Sequence, residues 1–310
     1  MLFWGCADLF YKKGTDESDR HSHLKIAVWV GLVMGACAFA LMPFSETKFS
    51  LFTLVSNAVK YSPASLCYII SMVIGYAGLR YLEVSIVSPV QNASGAFSAV
   101  AMFVFFSVKG QMGGFLDEFS YLEIIGTAVI VIGVIALGIV EQRLSAREKD
   151  LSKEDKKYRF GALALLFPIL YCVFDTIGTS ADGIILDENT GLGLGEIDVL
   201  ILYGLTFFLA GVIAWLFMLA KTKKAYNPFA KRERTKGVAA LCEESGQIFY
   251  VYAMASKPIL AAPMVASYCI VSAILARLVL KEKLKAAQYA CIVAVTVGIV
   301  ALGIADGMAE

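Results

Sequence analysis

Two carboxylates, Glu243 and Glu244, stand side by side in a run of twenty residues, Gly237 to Ser256, that holds no Lys or Arg. On a helix Glu243 shares a face with Gln247 and Tyr250, four and seven residues on. Glu244 is turned about 100° away, toward Ile248 and Val251, with Gln247 still within its i+3 reach. Adjacent carboxylates in a low dielectric cannot both ionise cheaply, because desolvation and like charge each disfavour the ionised form. The pair is expected to keep at least one proton at neutral pH and to exchange a proton or a cation, with Glu243 facing a cavity. The alternative puts both glutamates at the cytoplasmic interface, about two turns from Lys236.

Asp175 lies one turn after Tyr171 and one turn before Thr179, with no basic neighbour in sequence. It suits a cavity or coupling role as well as it suits helix packing. Asp8 has Lys12 four residues on, and an i, i+4 pair near the interface accounts for it. Gln91, Ser94 and Ser98 share a helix face with Asn92 beside it, and Ser267, Tyr268 and Ser272 do similar work later in the chain. Amides, hydroxyls and phenols hold a polar solute without fixing its charge. They equally serve hydrogen bonds between helices. Pro89 and Pro263 fit either the first turn of a helix or a kink in one.

Other chemistries find little footing. The only histidines are His21 and His23, so no metal cluster and no nucleophile–base set marks an intramembrane enzyme. The seven cysteines fall in apolar segments without CxxC spacing and read as small buried hydrophobes. "GLGLGEID" lacks the Lys-Ser/Thr of a phosphate cradle, and no ATP-binding motif occurs. A net charge of +1 gives no sign of a nucleic-acid partner. No cofactor or metal is called for.

The elements that position these groups follow from composition. Hydrophobic residues make up 58% of the chain and charged ones 17%, with mean hydropathy +0.71. A soluble domain lies near 45–50% and about 25%. The charges cluster between long apolar runs, so this is a polytopic membrane protein whose partner is the lipid bilayer. A span takes roughly 17–25 apolar residues. After an opening run from Met1 to about Tyr11, too short to cross a ~30 Å core alone, candidates are Lys25–Met42, Ser65–Leu82, Ser85–Val108, Tyr121–Val140, Phe160–Thr179, Asp198–Ala220, Gly237–Ser256, Pro258–Leu280 and Ala286–Ala305. Runs of this length without period-two alternation mean helices. "SETKFSLFTLVSNAVKYSP" suggests a short interfacial helix. The Lys/Arg distribution places the basic loops in the cytoplasm and both termini outside.

The halves echo each other. "GVIALGI" (Gly133–Ile139) matches "GIVALGI" (Gly298–Ile304), and "SIVSPVQNASGAFSAV" lines up with "ILAAPMVASYCIVSAI", setting Pro89 on Pro263 and Ser98 on Ser272. "FWGCAD" sits over "LYCVFD", so Asp8 pairs with Asp175. The expected fold is an all-α membrane protein of about ten transmembrane helices in two inverted five-helix repeats, residues 1–141 and 160–310, joined by a charged linker over 142–159. Odd-numbered inverted repeats let a transporter alternate access around a midplane site. The glycines of the first full span and of spans five and ten permit close packing, within the chain or in a homodimer; the sequence leaves both open.

Through "FWGCADLFYKK", "YAGLRYLEVSIVSPVQNASGAF" and "LVLKEKLKAAQYACIVAVTVGIVALGI", the chain resembles the drug/metabolite transporter superfamily, EamA-like group. That resemblance implies a secondary transporter with a central cavity lined by both halves, moving small organic metabolites or drugs by proton coupling or exchange. Its expected place is a bacterial cell membrane. It also implies a full-length first helix and cytoplasmic termini, from which this chain departs. A nucleotide-sugar or phosphorylated-metabolite antiporter needs cavity cations, and the spans offer acids instead. A non-transporting scaffold or sensor is the third reading.

Overall fold

The computed structural model describes residues 1–16, 18–45, 47, 50–82, 84–112, 119–149, 164, 166–187, 189, 191–281 and 285–309. Among the described residues the regular structure is all helix. The helices are α1 (Leu2–Gly14), α2 (Ser22–Leu41), α3 (Leu51–Gly78), α4 (Val84–Asn92), α5 (Ser94–Val108) and α6 (Tyr121–Lys149). They continue as α7 (Leu166–Leu186), α8 (Glu196–Thr222), α9 (Arg234–Ser256), α10 (Pro258–Ala266), α11 (Cys269–Val279) and α12 (Ala286–Ala309).

Among the described residues, six stretches are long and apolar enough to cross a membrane: α2, α3, α5 with the end of α4, α7, α8, and α10 joined to α11. That is fewer than the ten expected, for identifiable reasons. At thirteen residues α1 is about 20 Å long, short of a ~30 Å core. In α9, Arg234, Lys236, Glu243 and Glu244 dilute the apolar run. In α6 and α12 the described apolar stretches, Tyr121–Gly133 and Tyr289–Leu302, are short. Large apolar side chains such as Phe97, Val104, Leu209, Ile213 and Val293 are exposed around the outside, as lipid contact requires.

Three boundaries differ from the sequence reading. No separate interfacial helix precedes the third span. Ser50 Oγ accepts from the Thr53 N–H at 3.1 Å, and α3 then runs unbroken for 28 residues through Pro63. The span expected at Phe160–Thr179 lies instead at Leu166–Leu186 and so includes Asp182. The first part of the charged linker, through Lys149, continues α6, and residues 150–159 lie outside the described residues.

The fourth and ninth spans are each two helices in series, divided at Ala93 and at Ser267–Tyr268. These divisions are tightenings and not unwound loops. The Ser267 and Tyr268 N–H groups bond to Met264 O and Val265 O, three residues back, and the Ala96 N–H bonds to Ala93 O. Pro89 and Pro263 lie inside α4 and α10, one turn before each division. The first-turn role they were offered belongs in α10 to Pro258.

The helices pair across the two halves of the chain: α2 with α8, α6 with α12, α3 with α7, α1 with α9, α5 with α10 and α4 with α11. Glycines permit the closest of these. A Cβ on Gly31 would stand 2.6 Å from Phe207 O and 2.9 Å from Gly211 Cα, and one on Gly204 2.5 Å from Met34 O. Gly126 and Gly298 likewise face each other's carbonyls between α6 and α12 of the same chain. Overpacking a tight contact costs about 1–3 kcal/mol. Gly31→Leu should therefore lower the thermal unfolding temperature of the detergent-purified protein, while Val104→Leu on the lipid face should leave it in place.

Candidate functional site

A chamber lies where α1, α3, α7, α8 and α9 meet the two divided spans. Its acids are Glu243 and Asp175, its amides Asn92 and Gln247, and its hydroxyls Ser94 and Thr179. Around these stand Trp4 and the tyrosines 68, 171, 203, 250 and 268. The space inside is about 60 Å³, room for about four to six waters. No Lys or Arg borders it among the described residues.

Each polar group arrives by a local rule. The i, i+4, i+7 spacing on α9 brings Glu243, Gln247 and Tyr250 to the chamber together. Glu243 keeps accessible surface there, with Tyr11 facing its carboxylate. On α7 the same spacing aligns Tyr171, Asp175 and Thr179. Ser94 Oγ, at the start of α5, donates to Asp175 Oδ2 at 2.6 Å. The Tyr68 and Tyr250 hydroxyls are 2.5 Å apart, and Tyr68 also donates to Thr179 Oγ1 at 3.2 Å. Trp4 Nε1 donates to the Glu243 carbonyl at 3.1 Å, and its ring packs against Tyr250 and Tyr268 at 5.4 Å each. The tight turns at Ala93 and Ser267–Tyr268 present Asn92, Ser94, Ala266 and Tyr268 to the space. The Gln247 amide nitrogen is buried there without a hydrogen-bond partner among the described residues.

Several residues singled out in the sequence, among them Glu244, Gln91, Ser98, Ser267 and Ser272, lie outside the chamber lining. Glu244 is buried and turned toward α2, where the Cys37 thiol faces it. Gln91 packs its amide between α3 and α7, where a Cβ on Gly75 would meet both it and Tyr171. Ser98 Oγ donates to Thr176 O at 3.2 Å, bonding α5 to α7. Ser267 Oγ bonds back to its own helix at Met264 O.

Asp8 is not explained by Lys12. Its Oδ2 accepts from Ser272 Oγ at 2.6 Å and Ser88 Oγ at 2.8 Å, while Lys12 Nζ donates to the carbonyls of Leu79 and Leu82 at 2.7 and 3.0 Å. The hydroxyls of Ser272 and Ser88 hold the carboxylate, whereas the lysine reaches two carbonyls just past the end of α3. Asp8 also lies close enough to Glu243 to repel it. Asp182, which the sequence reading passed over, has no accessible surface; Tyr61 OH donates to its Oδ1 at 2.8 Å.

Met72 separates the chamber from a larger apolar crevice of about 580 Å³ between α2, α3 and α8. Exposed Leu66, Leu209 and Ile213 rim that crevice.

No family model matches the chain, and no curated protein matches it. A solved structure, titled only as the crystal structure of a protein, aligns over 98% of this chain and 96% of its own with a TM-score of 0.60 and 12% identity. That likeness is one of fold.

The opposite facing of the two adjacent glutamates is directly testable. With the other native cysteines replaced by Ala, Glu244→Cys should form a disulfide with Cys37 on mild oxidation, seen as a mobility shift on a non-reducing gel. Glu243→Cys should not.

Proposed function

We propose that this protein is a secondary transporter of the EamA-like kind, carrying small organic cations through the acid-lined chamber. The carrying observation is chemical. Glu243 and Asp175 border one confined space with six aromatic rings and no basic side chain among the described residues. Carboxylates attract a cation, and the faces of Trp and Tyr attract it further, by about 0.5–2 kcal/mol per ring. The unpartnered Gln247 amide adds a donor for a hydroxyl or carbonyl on the same solute. A phosphorylated solute would meet the two acids with no countercharge, which disfavours the antiporter reading.

Inverted repeats are part of this reading, and the helix pairing supports them. A twofold axis exchanging the halves would carry the α3–α7 pair onto α9–α1 and leave α2–α8 and α6–α12 as pairs; all these packings occur. Asp8 and Asp175 follow the same exchange: each carboxylate takes a serine hydroxyl from the divided span of the opposite half, Ser272 in one case and Ser94 in the other. Glu243, facing Asp8 and Asp175, then holds either a proton or the cation.

Truncating one partner of a buried charge contact costs about 2 kcal/mol or more, close to thirtyfold. In proteoliposomes, Glu243→Gln should cut uptake of labelled choline by at least that factor and remove its pH dependence. Glu244→Gln should leave both near wild type, and the neutral carbon isostere of choline should not compete. Uptake unaffected by Glu243→Gln would refute the assignment.

A further inference from the structure

Along α7, Asp175, Thr179 and Asp182 are four and then three residues apart on one face, opposite Tyr68 and Tyr61 of α3. The helices run antiparallel there, and rungs cross between them. Tyr68 OH meets Thr179 Oγ1 at 3.2 Å, and one step further from the chamber Tyr61 OH meets Asp182 Oδ1 at 2.8 Å. Asp175 and Thr179 border the chamber; Asp182 does not. Both Asp182 and Tyr61 have zero accessible surface, and Asp182 Oδ2 has no hydrogen-bond partner among the described residues.

The next residue closes the other side. A Cβ on Gly183 would meet Met102 Sδ, Pro258 Cβ at 3.0 Å and Met254 Cε at 3.1 Å. Met102 and Met254 are themselves fully buried. Beyond them Pro258 borders a second cleft of about 420 Å³ with Asp187 and Lys257. Asp182 thus sits between two clefts and is sealed from both.

We propose that Asp182 is a proton-binding site distinct from the chamber acids, loaded from water on one side of the Met102–Met254 plug and emptied to water on the other. This rests on the transporter reading. An unpaired carboxylate oxygen in a dry, close-packed place has no room for an organic cation or a hydrated metal. A proton needs no room. Its binding forms an O–H bond at Oδ2 from hydronium and leaves water; its release returns the proton to water, and no electrons move. The groups facing Asp182 are phenols: Tyr61 and Tyr68 from α3, Tyr203 from α8 and Tyr250 from α9, with Asp175 further along its own helix. Near the plug, α5 and α10 present Met102 and Pro258, which do not titrate. Chamber and proton site communicate through Tyr68, whose hydroxyl touches both Tyr250 and Thr179. A solute seated against Tyr250 therefore acts on the rung next to Asp182.

Two measurements on the full chain decide this. In nanodiscs, infrared difference spectra between acid and alkaline pH should contain a protonated-carboxyl band that Asp182→Asn removes and Glu243→Gln leaves. In proteoliposomes with an imposed pH gradient, Asp182→Asn should lower choline accumulation by about tenfold or more while slowing choline–choline exchange far less. Asp182→Glu should restore part of the accumulation, which a merely structural residue would not distinguish from Asn. An Asp182→Asn protein that keeps the infrared band, or that accumulates choline as wild type does, overturns the proposal. Absence of choline flux in wild type would defeat the transporter reading, and the infrared result would still decide the proton site.

Discussion

A carboxylate carried into the middle of a membrane costs about 2.5–3.5 kcal/mol even on the mildest scales. This chain holds four carboxylates, Asp8, Asp175, Asp182 and Glu243, inside its helix bundle. A buried ion pair among the described residues, Glu233 with Lys236 at 2.6 Å, lies at the start of α9. The interior acids are held instead by hydroxyls: Ser272 and Ser88 on Asp8, Ser94 on Asp175, Tyr61 on Asp182. Hydroxyl donors stabilise a carboxylate without cancelling its charge, so a mobile cation or proton remains the natural complement.

The packing makes that arrangement possible. Each carboxylate and its hydroxyl donors come from different helices, and the Asp175, Asp182 and Asp8–Ser272 contacts join the two halves of the chain. The halves thus share these polar contacts within an interface that is otherwise apolar and, as between α2 and α8, glycine-mediated. The contacts of Gly183 and the divided spans at Ala93 and Ser267–Tyr268 lie beside these polar contacts.

Much of the site was legible from spacing alone. Glu243, Gln247 and Tyr250 come to one face because α9 is a regular helix through that stretch, and the same regularity turns Glu244 away. Tyr171 and Asp175 follow the same rule on α7. What spacing hid was partners distant in sequence. A lysine four residues away competed on paper with a serine 264 residues away, and the serine holds Asp8. Asp182 escaped notice because its helix runs to Leu186, beyond the boundary that hydropathy suggested, which turns a loop acid into an interior one. The tightened turns after Pro89 and Pro263 were hidden as well. A proline marks where a helix loses a bond, and only the surrounding packing decides where the chain bends.

The proposed exchange of a cation for a proton is read most directly by calorimetry on the purified protein, without any membrane gradient. Choline is titrated in two buffers of different ionisation enthalpy, and the difference gives the protons released per cation bound. Saturable binding with net proton release at neutral pH, diminished in Glu243→Gln, is expected. Binding with no proton release, equal in wild type and Glu243→Gln, would contradict it.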